Sequence, residues 1–371
     1  MPISPADDLL AHQTTDPFDH VFTSDPNFYD RYYFNLHASS DELFLVAGMG
    51  QYPNLGVTDA FVCISKGDTQ YVVRASRELG ANRLDTQVGP FRFEVIEGLQ
   101  KLRLVLDENE WGVSFDLVFD GAVPAIEEPK QIQKQFTRTT METSRFAQVG
   151  CYTGSLTVAG ETHTVTPDRW KGARDRSWGV RPVGEAPPPG IAVKVERSNG
   201  FFHNWLPMQF DDYLFKVFFE EDANGTRLIE ESVKVYNTGL GKPNEIMGTP
   251  RHEFSFLPGT REIEKAVIHF AHPSGQELSV TTTPLRTVYL AAGSGYVPSP
   301  DWAHGKYQGE LKVEGLTYDM STPEKRRQYA FLNETLSRFE LSTGEVGYGM
   351  HENLLIGVYK PYGFDEPGSV A

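Results

Sequence analysis

The sequence predicts an all-β protein built from two antiparallel β-barrels or sandwiches in tandem, and three observations carry that prediction. Short alternating or apolar runs recur along the chain, broken roughly every eight to twelve residues by turn chemistry. Helix signals are scarce. A stretch with three consecutive prolines, "GEAPPPG" at 184–190, divides the chain into near-equal halves, each with its own series of runs.

In the first half the runs are "YYFNLHA", "ELFLVAG", "DAFVCISKGD", "QYVVRAS", "FRFEVIEG", "KLRLVLDEN" and "WGVSFDLVFDG". Gly-Asp, Asp-Glu-Asn and Asp-Gly punctuate them at hairpin positions, where residues tolerant of left-handed backbone are needed. Two segments read as helical. These are "EEPKQIQKQF" at 127–136 and "TPEKRRQYAFLNETL" at 322–336, the second with Thr322 as N-cap and Pro323 at the first helical position. Neither can supply the crossover layer of a parallel α/β sheet.

The prolines at 187–189 cannot join a central strand, so the expected domains are 1–190 and 191–371. Beyond them the rhythm resumes with "FFHNWLPMQF", "DYLFKVFFEED", "TRLIEESVKVYN", "RHEFSFLPG", "EIEKAVIHFAH", "QELSVTTTPL", "YQGELKVEGLTYDM" and "GYGMHENLLIGVYK". A closed barrel of about eight strands has room for one small ligand.

Composition narrows the function classes. The 371 residues are 39% hydrophobic, 23% charged and 12% aromatic, a soluble globular profile. A formal charge of −16 and no basic stripe oppose binding to nucleic acid or to anionic membranes. Cys63 and Cys151 stand far apart, so neither a disulfide framework nor a zinc site is encoded. No secretory leader or run of 18 apolar residues is present, and a cytoplasmic, unanchored protein is expected. The motifs of nucleotide hydrolysis, α/β-hydrolases, zincins and Rossmann cofactor domains are missing, so no cofactor is expected. His269 and His272 in "HFAH" would point to opposite faces of a strand, which gives no metal site.

The one dense charge cluster is "GARDRSWGVR", 172–181. On a strand, Asp175 and Ser177 share one face while Arg174, Arg176 and Trp178 share the other. An Arg stacked on Trp178 and paired with a carboxylate would close a barrel end. Alternatively, Asp175 and Trp178 face a dry cavity, where a desolvated carboxyl stays protonated near neutrality and acts as an acid.

"DRWKGARDRSWGVRP", with "YYFNLHASSDELFLVAGMGQYPNLG" before it and "GYGMHENLLIGVYKPYG" near the C-terminus, resembles the superfamily of tandem lipocalin-like (calycin) proteins. That superfamily includes carotenoid 1,2-hydratases, AttH-like proteins and fungal lipocalin-like Diels–Alderases, and the "PNLG" and "RDxSWGxR" patterns are most similar to a bacterial branch. The resemblance implies two calycin barrels with a ligand cavity between or inside them. Asp175, Trp178 and Gly179 match the hydratase pattern Asp-His-x-Trp-Gly, and Arg176 stands where the His would be. A further acidic residue of that pattern falls on Asp211 or Asp212, and a late Gly-x-Gly-x-x-Glu on Gly347, Gly349 and Glu352.

The expectation is a cofactor-independent enzyme, a hydratase, isomerase or cyclase, acting on an apolar isoprenoid, terpenoid or polycyclic molecule. The alternative is a non-catalytic carrier of a hydrophobic small molecule. Arg cannot shuttle protons near neutrality. Neighbouring Arg residues would also hold Asp175 ionised, so the donor is expected at Asp211 or Asp212, with Asp175 the third candidate and mainly a structural anchor. Arg176, Trp178, His203, Trp205, Tyr348 and Glu352 are expected to bind substrate, with Glu352 meeting an Arg of the motif.

Overall fold

Hairpin follows hairpin from residue 28 onward in the computed structural model, which describes residues 3–12, 14–183, 200–275 and 277–371. Strands Phe28–His37, Phe44–Tyr52, Val57–Lys66 and Thr69–Glu78 pair in sequence order. Lys171–Val180 lies on the other side of Phe28–His37, followed outward by Arg138–Val158, Ser114–Gly121, Lys101–Leu106 and Phe91–Glu97. This first sheet nearly closes into a barrel, and the second forms a half-barrel. The second sheet runs Arg227–Tyr236, Tyr213–Asp222, Gly200–Gln209, Val346–Gly357, Leu332–Leu341, Glu277–Tyr289, Ile263–Ala271 and Pro250–Phe256. The all-β fold class is as the strand rhythm predicts. The triple-proline stretch lies outside the described residues.

The apolar residues sort into three layers. Tyr32, Phe34, Leu45, Leu104 and Phe119 fill the first barrel, and Phe202, Phe215, Phe219 and Phe339 fill the second. Between the sheets lies a third layer in which Tyr33, Val46, Phe61 and Ala173 meet Trp205, Phe218, Leu336 and Met350. Strands of the middle region are therefore covered on both faces: every residue of Phe28–His37 and Phe44–Tyr52 is buried. That explains why "ELFLVAG" and "DAFVCIS" read as nearly continuous apolar runs instead of alternating ones.

Leu311–Asp319 departs from the order of the chain. It follows the Glu277–Tyr289 strand in sequence, yet it pairs along its whole length with Thr69–Glu78 at the edge of the first sheet.

Both helical expectations need correction. Within 127–136, Ile126–Glu127 and Gln131–Gln135 pair with Arg138–Val158. Pro129 interrupts any helix there, and the polar residues after it offer no apolar stripe to bury. Within 322–336 only Pro323–Arg326 is helical, with the Thr322 side chain accepting from the Lys325 amide as an N-cap does. From Leu332 the chain is a strand, because Leu332 and Leu336 on one face enter the middle apolar layer.

Candidate active site

The two glycines of "GARDRSWG" fix the strand among its neighbours. A Cβ on Gly172 would collide with the Asn35 carbonyl, and one on Gly179 with the Glu142 carbonyl. Gly179 also takes a φ of +132°, which other residues rarely adopt. The strand between them presents two faces of different chemistry.

Arg174, Arg176 and Trp178 turn toward the first barrel. Arg174 donates to both oxygens of Asp8, at 2.6 and 3.0 Å, and to Gln148 at 2.9 Å. Arg176 pairs with Asp30 and donates to the Leu9 carbonyl at 2.6 Å, while Arg83 donates to Asp30 at 3.0 Å. Trp178 lies under the Arg176 guanidinium at 4.9 Å and stacks on His12 at 4.6 Å. These contacts hold the segment around residues 8–12 against the sheet. Arg176 and Trp178, expected to bind substrate, face away from the cavity described next.

Asp175 projects from the opposite face into the space between the sheets. A cavity of about 400 Å³ lies there, walled by Tyr33, Arg145, Asp175 and Arg181 from the first sheet and its exit. His203, Trp205, Glu220, Glu334 and Glu352 enter from the second sheet. Tyr296 and His304 come from the connection after Tyr289, and Phe201, Phe331, Leu354 and Ile356 supply apolar surface.

The charged walls are cross-braced. His203 contacts Glu220 through Nδ1 at 3.0 Å and Glu352 through Nε2 at 3.5 Å. Burial works against its charge, but Glu352 and Glu220 outweigh burial and raise its pKa to about 9. Arg145 approaches Glu128 at 3.3 Å and donates to Gln131 at 2.9 Å. Glu128, buried at the junction of the sheets, also accepts from Trp205 Nε1 at 2.7 Å and Lys216 at 3.0 Å.

Among the described residues nothing donates a hydrogen bond to the Asp175 carboxyl. Burial pushes its pKa up to about 6; Arg145 opposes the rise, and Glu128 and Glu352 add to it. The expected ionised anchor is thus a carboxyl that holds a proton more tightly than usual, because its sequence neighbours Arg174 and Arg176 lie on the other face. Glu334 accepts from the Tyr33 hydroxyl at 3.1 Å. Burial first, and Glu352 next, raise its pKa well above the carboxylate range.

Asp211 and Asp212 occupy the turn after Gly200–Gln209, and Asp211 is 98% exposed, 3.8 Å from Lys171. Six residues of strand separate Asp211 from Trp205, a distance of roughly 20 Å. Neither carboxyl lines the cavity. Tyr348 shares a strand face with Met350 and Glu352, but it pairs with Gln209 and Arg338, beyond the cavity wall.

Sequence reading missed Arg145, Arg181, Tyr296 and Glu334. A signal existed for Glu334, a lone carboxylate alternating with Leu332 and Leu336, but it was hidden inside a segment read as helix. Arg145 lies in an otherwise unremarked strand, and Tyr296 in a connection without periodicity.

One nearly closed barrel and a half-barrel, packed through an apolar layer with a polar-studded cavity at their junction, give the chain a tandem lipocalin-like fold. The chain belongs to the family of unknown function DUF8625, whose profile matches residues 3–365. The solved structure of CghA with Sch210972 is similar at 12% identity, covering 94% of this chain and 96% of that one, with a TM-score of 0.50. Kievitone hydratase from Nectria haematococca is similar at 14% identity over 89% of each chain, with a TM-score of 0.45. At such identities the likeness is one of fold. No curated protein matches the sequence.

Proposed function

We propose that the protein is a cofactor-independent enzyme that encloses a largely apolar small molecule between its barrels and protonates it from Asp175. The observation that carries this reading is the Asp175 carboxyl, which faces the cavity, accepts no hydrogen bond from any described residue and has its pKa pushed up to about 6 by burial. A group with that pKa is protonated in roughly a tenth of molecules at pH 7 and can give its proton to an alkene or carbonyl. The π face of Trp205 suits the positive charge that develops. The resulting Asp175 carboxylate then regains a proton from water, in a hydration, or from an adjacent carbon, in an isomerisation or cyclisation. Arg176, Trp178 and Tyr348 have no part in this scheme, and Asp211 and Asp212 are not its acids. His203, Trp205 and Glu352 shape the pocket.

The test begins with native mass spectrometry of protein purified from its host, to identify a copurifying molecule. Turnover of that molecule by the wild type, lost in Asp175→Asn while binding persists, supports the proposal. Binding without turnover in the wild type gives the carrier role instead.

A further inference from the structure

The cations around the cavity differ in how they are neutralised. Arg145 has Glu128, and His203 has Glu220 and Glu352. Arg181, on the cavity wall, and Arg31, just behind it, have no carboxylate within ion-pair distance among the described residues. Arg31 is only 3% exposed; its Nη2 reaches the His304 Nε2 at 3.3 Å, and its Nη1 has no partner among the described residues. Among the described residues the Nε of Arg181 is likewise buried and unpaired.

The surroundings hold both guanidiniums without using up their donors. Arg31 lies 4.6 Å from the Tyr296 ring centre and Arg181 5.8 Å from it, while Arg181 also lies 4.4 Å from that of Tyr29. Contacts with aromatic faces leave N–H groups free in the guanidinium plane. Asp59 does not neutralise Arg31 directly, because it is occupied by His304 Nδ1 at 3.3 Å, the Gly305 amide at 2.9 Å and the Tyr52 hydroxyl at 3.3 Å. Burial and then Arg31 lower the His304 pKa to about 4, so this histidine is neutral and donates to Asp59 while accepting from Arg31. A partly buried guanidinium on the wall, Arg181, and a fully buried one behind it, Arg31, each with an orphaned donor, favour an incoming anion, since an unpaired buried charge is costly and a planar oxyanion matches the fork of Arg.

We propose that the cavity selects a ligand bearing an anionic oxygen group, a carboxylate, enolate or phenolate, taken up by Arg181 from the cavity side with Arg31 supporting it from behind Tyr296. This rests on the reading of the cavity as the ligand site. The apolar remainder of the ligand lies against Phe201, Phe331, Leu354 and Ile356. Asp175 lies within electrostatic reach of both guanidiniums, so the anion binds beside the acid.

The test uses two fluorescent probes of similar shape on the full chain, anionic anilinonaphthalene sulfonate and neutral phenylnaphthylamine. Arg181→Gln is expected to weaken the sulfonate roughly tenfold and leave the neutral probe within about twofold. Arg181→Lys, which keeps the charge, is expected to preserve the preference and guards against a folding defect in the Gln variant. A cavity-filling Leu354→Trp is expected to weaken both probes. If Leu354→Trp displaces both but Arg181→Gln weakens them equally or not at all, the anion site is wrong and the cavity reading stands. If Leu354→Trp affects neither probe, the cavity reading fails and the anion site with it.

Discussion

Arg174 grips Asp8 through two hydrogen bonds, at 2.6 and 3.0 Å, with neither side chain exposed to solvent. The bond ties a segment remote in sequence to the middle of the first sheet. Removing one member of a buried pair leaves the other charged and unsolvated, at a cost of about 3–5 kcal/mol. Asp8→Ala is therefore expected to lower unfolding stability by that amount, measured by denaturant titration. A loss below about 1 kcal/mol would show that the segment is not held this way.

Asp175→Asn is expected to abolish turnover of the copurifying molecule while its affinity stays within about tenfold, because the amide keeps the shape and loses the proton. The wild-type rate should fall as pH rises past about 6, where the carboxyl ionises. A rate that climbs through that range would exclude Asp175 as the acid.

The same carboxyl affects stability. Its pKa rises from 3.8 in the unfolded chain to about 6 in the folded one, so the folded state holds the proton more tightly. The stability it contributes is complete below pH 3.8 and is lost as pH rises through about 6, a change of about 3 kcal/mol. Asp175→Asn removes that dependence. Urea titrations of both proteins at pH 4 and pH 7 should show the smaller pH-dependent fall in the Asn variant.

Glu128 joins Arg145, Trp205 and Lys216 across the junction of the sheets. Glu128→Gln removes a negative charge that raises the Asp175 pKa and frees Arg145, which lowers it. The falling limb of the pH–rate profile, set by ionisation of Asp175, is expected to move to lower pH, with reduced stability. An unmoved limb would break the proposed coupling.

Asp211→Asn and Asp212→Asn are expected to leave turnover within about twofold and stability within about 0.5 kcal/mol, as for exposed turn positions without a buried partner. A loss beyond tenfold in either would return the acid to that hairpin.

The fold was legible because strand patterning is a local property. Hairpin residues and apolar runs stand close together in sequence, and the doubly buried strands announced themselves by the absence of alternation in "DAFVCIS". The site was legible only in part. Alternation sets Asp175 apart from Arg174 and Arg176, yet their closeness in sequence suggests an ionised carboxyl that the structure does not bear out. In the structure its electrostatic partners are Arg145, Glu128 and Glu352, set by the packing of one sheet on another, which sequence spacing does not encode. His203 and Glu352 could be named from their motifs, but their contact with each other depends on two strands being adjacent in the second sheet.

The Leu311–Asp319 strand sets a timetable for synthesis. Once Thr69–Glu78 has been translated its outer edge is unclaimed, and the segment that covers it begins more than two hundred residues later in the chain. At roughly 5–20 residues per second, the gap lasts roughly ten to fifty seconds. Throughout it, the nascent chain offers a ten-residue row of backbone donors and acceptors to any passing strand. The order in which the strands are made thus leaves this edge uncovered by its own sheet until one of the last strands arrives.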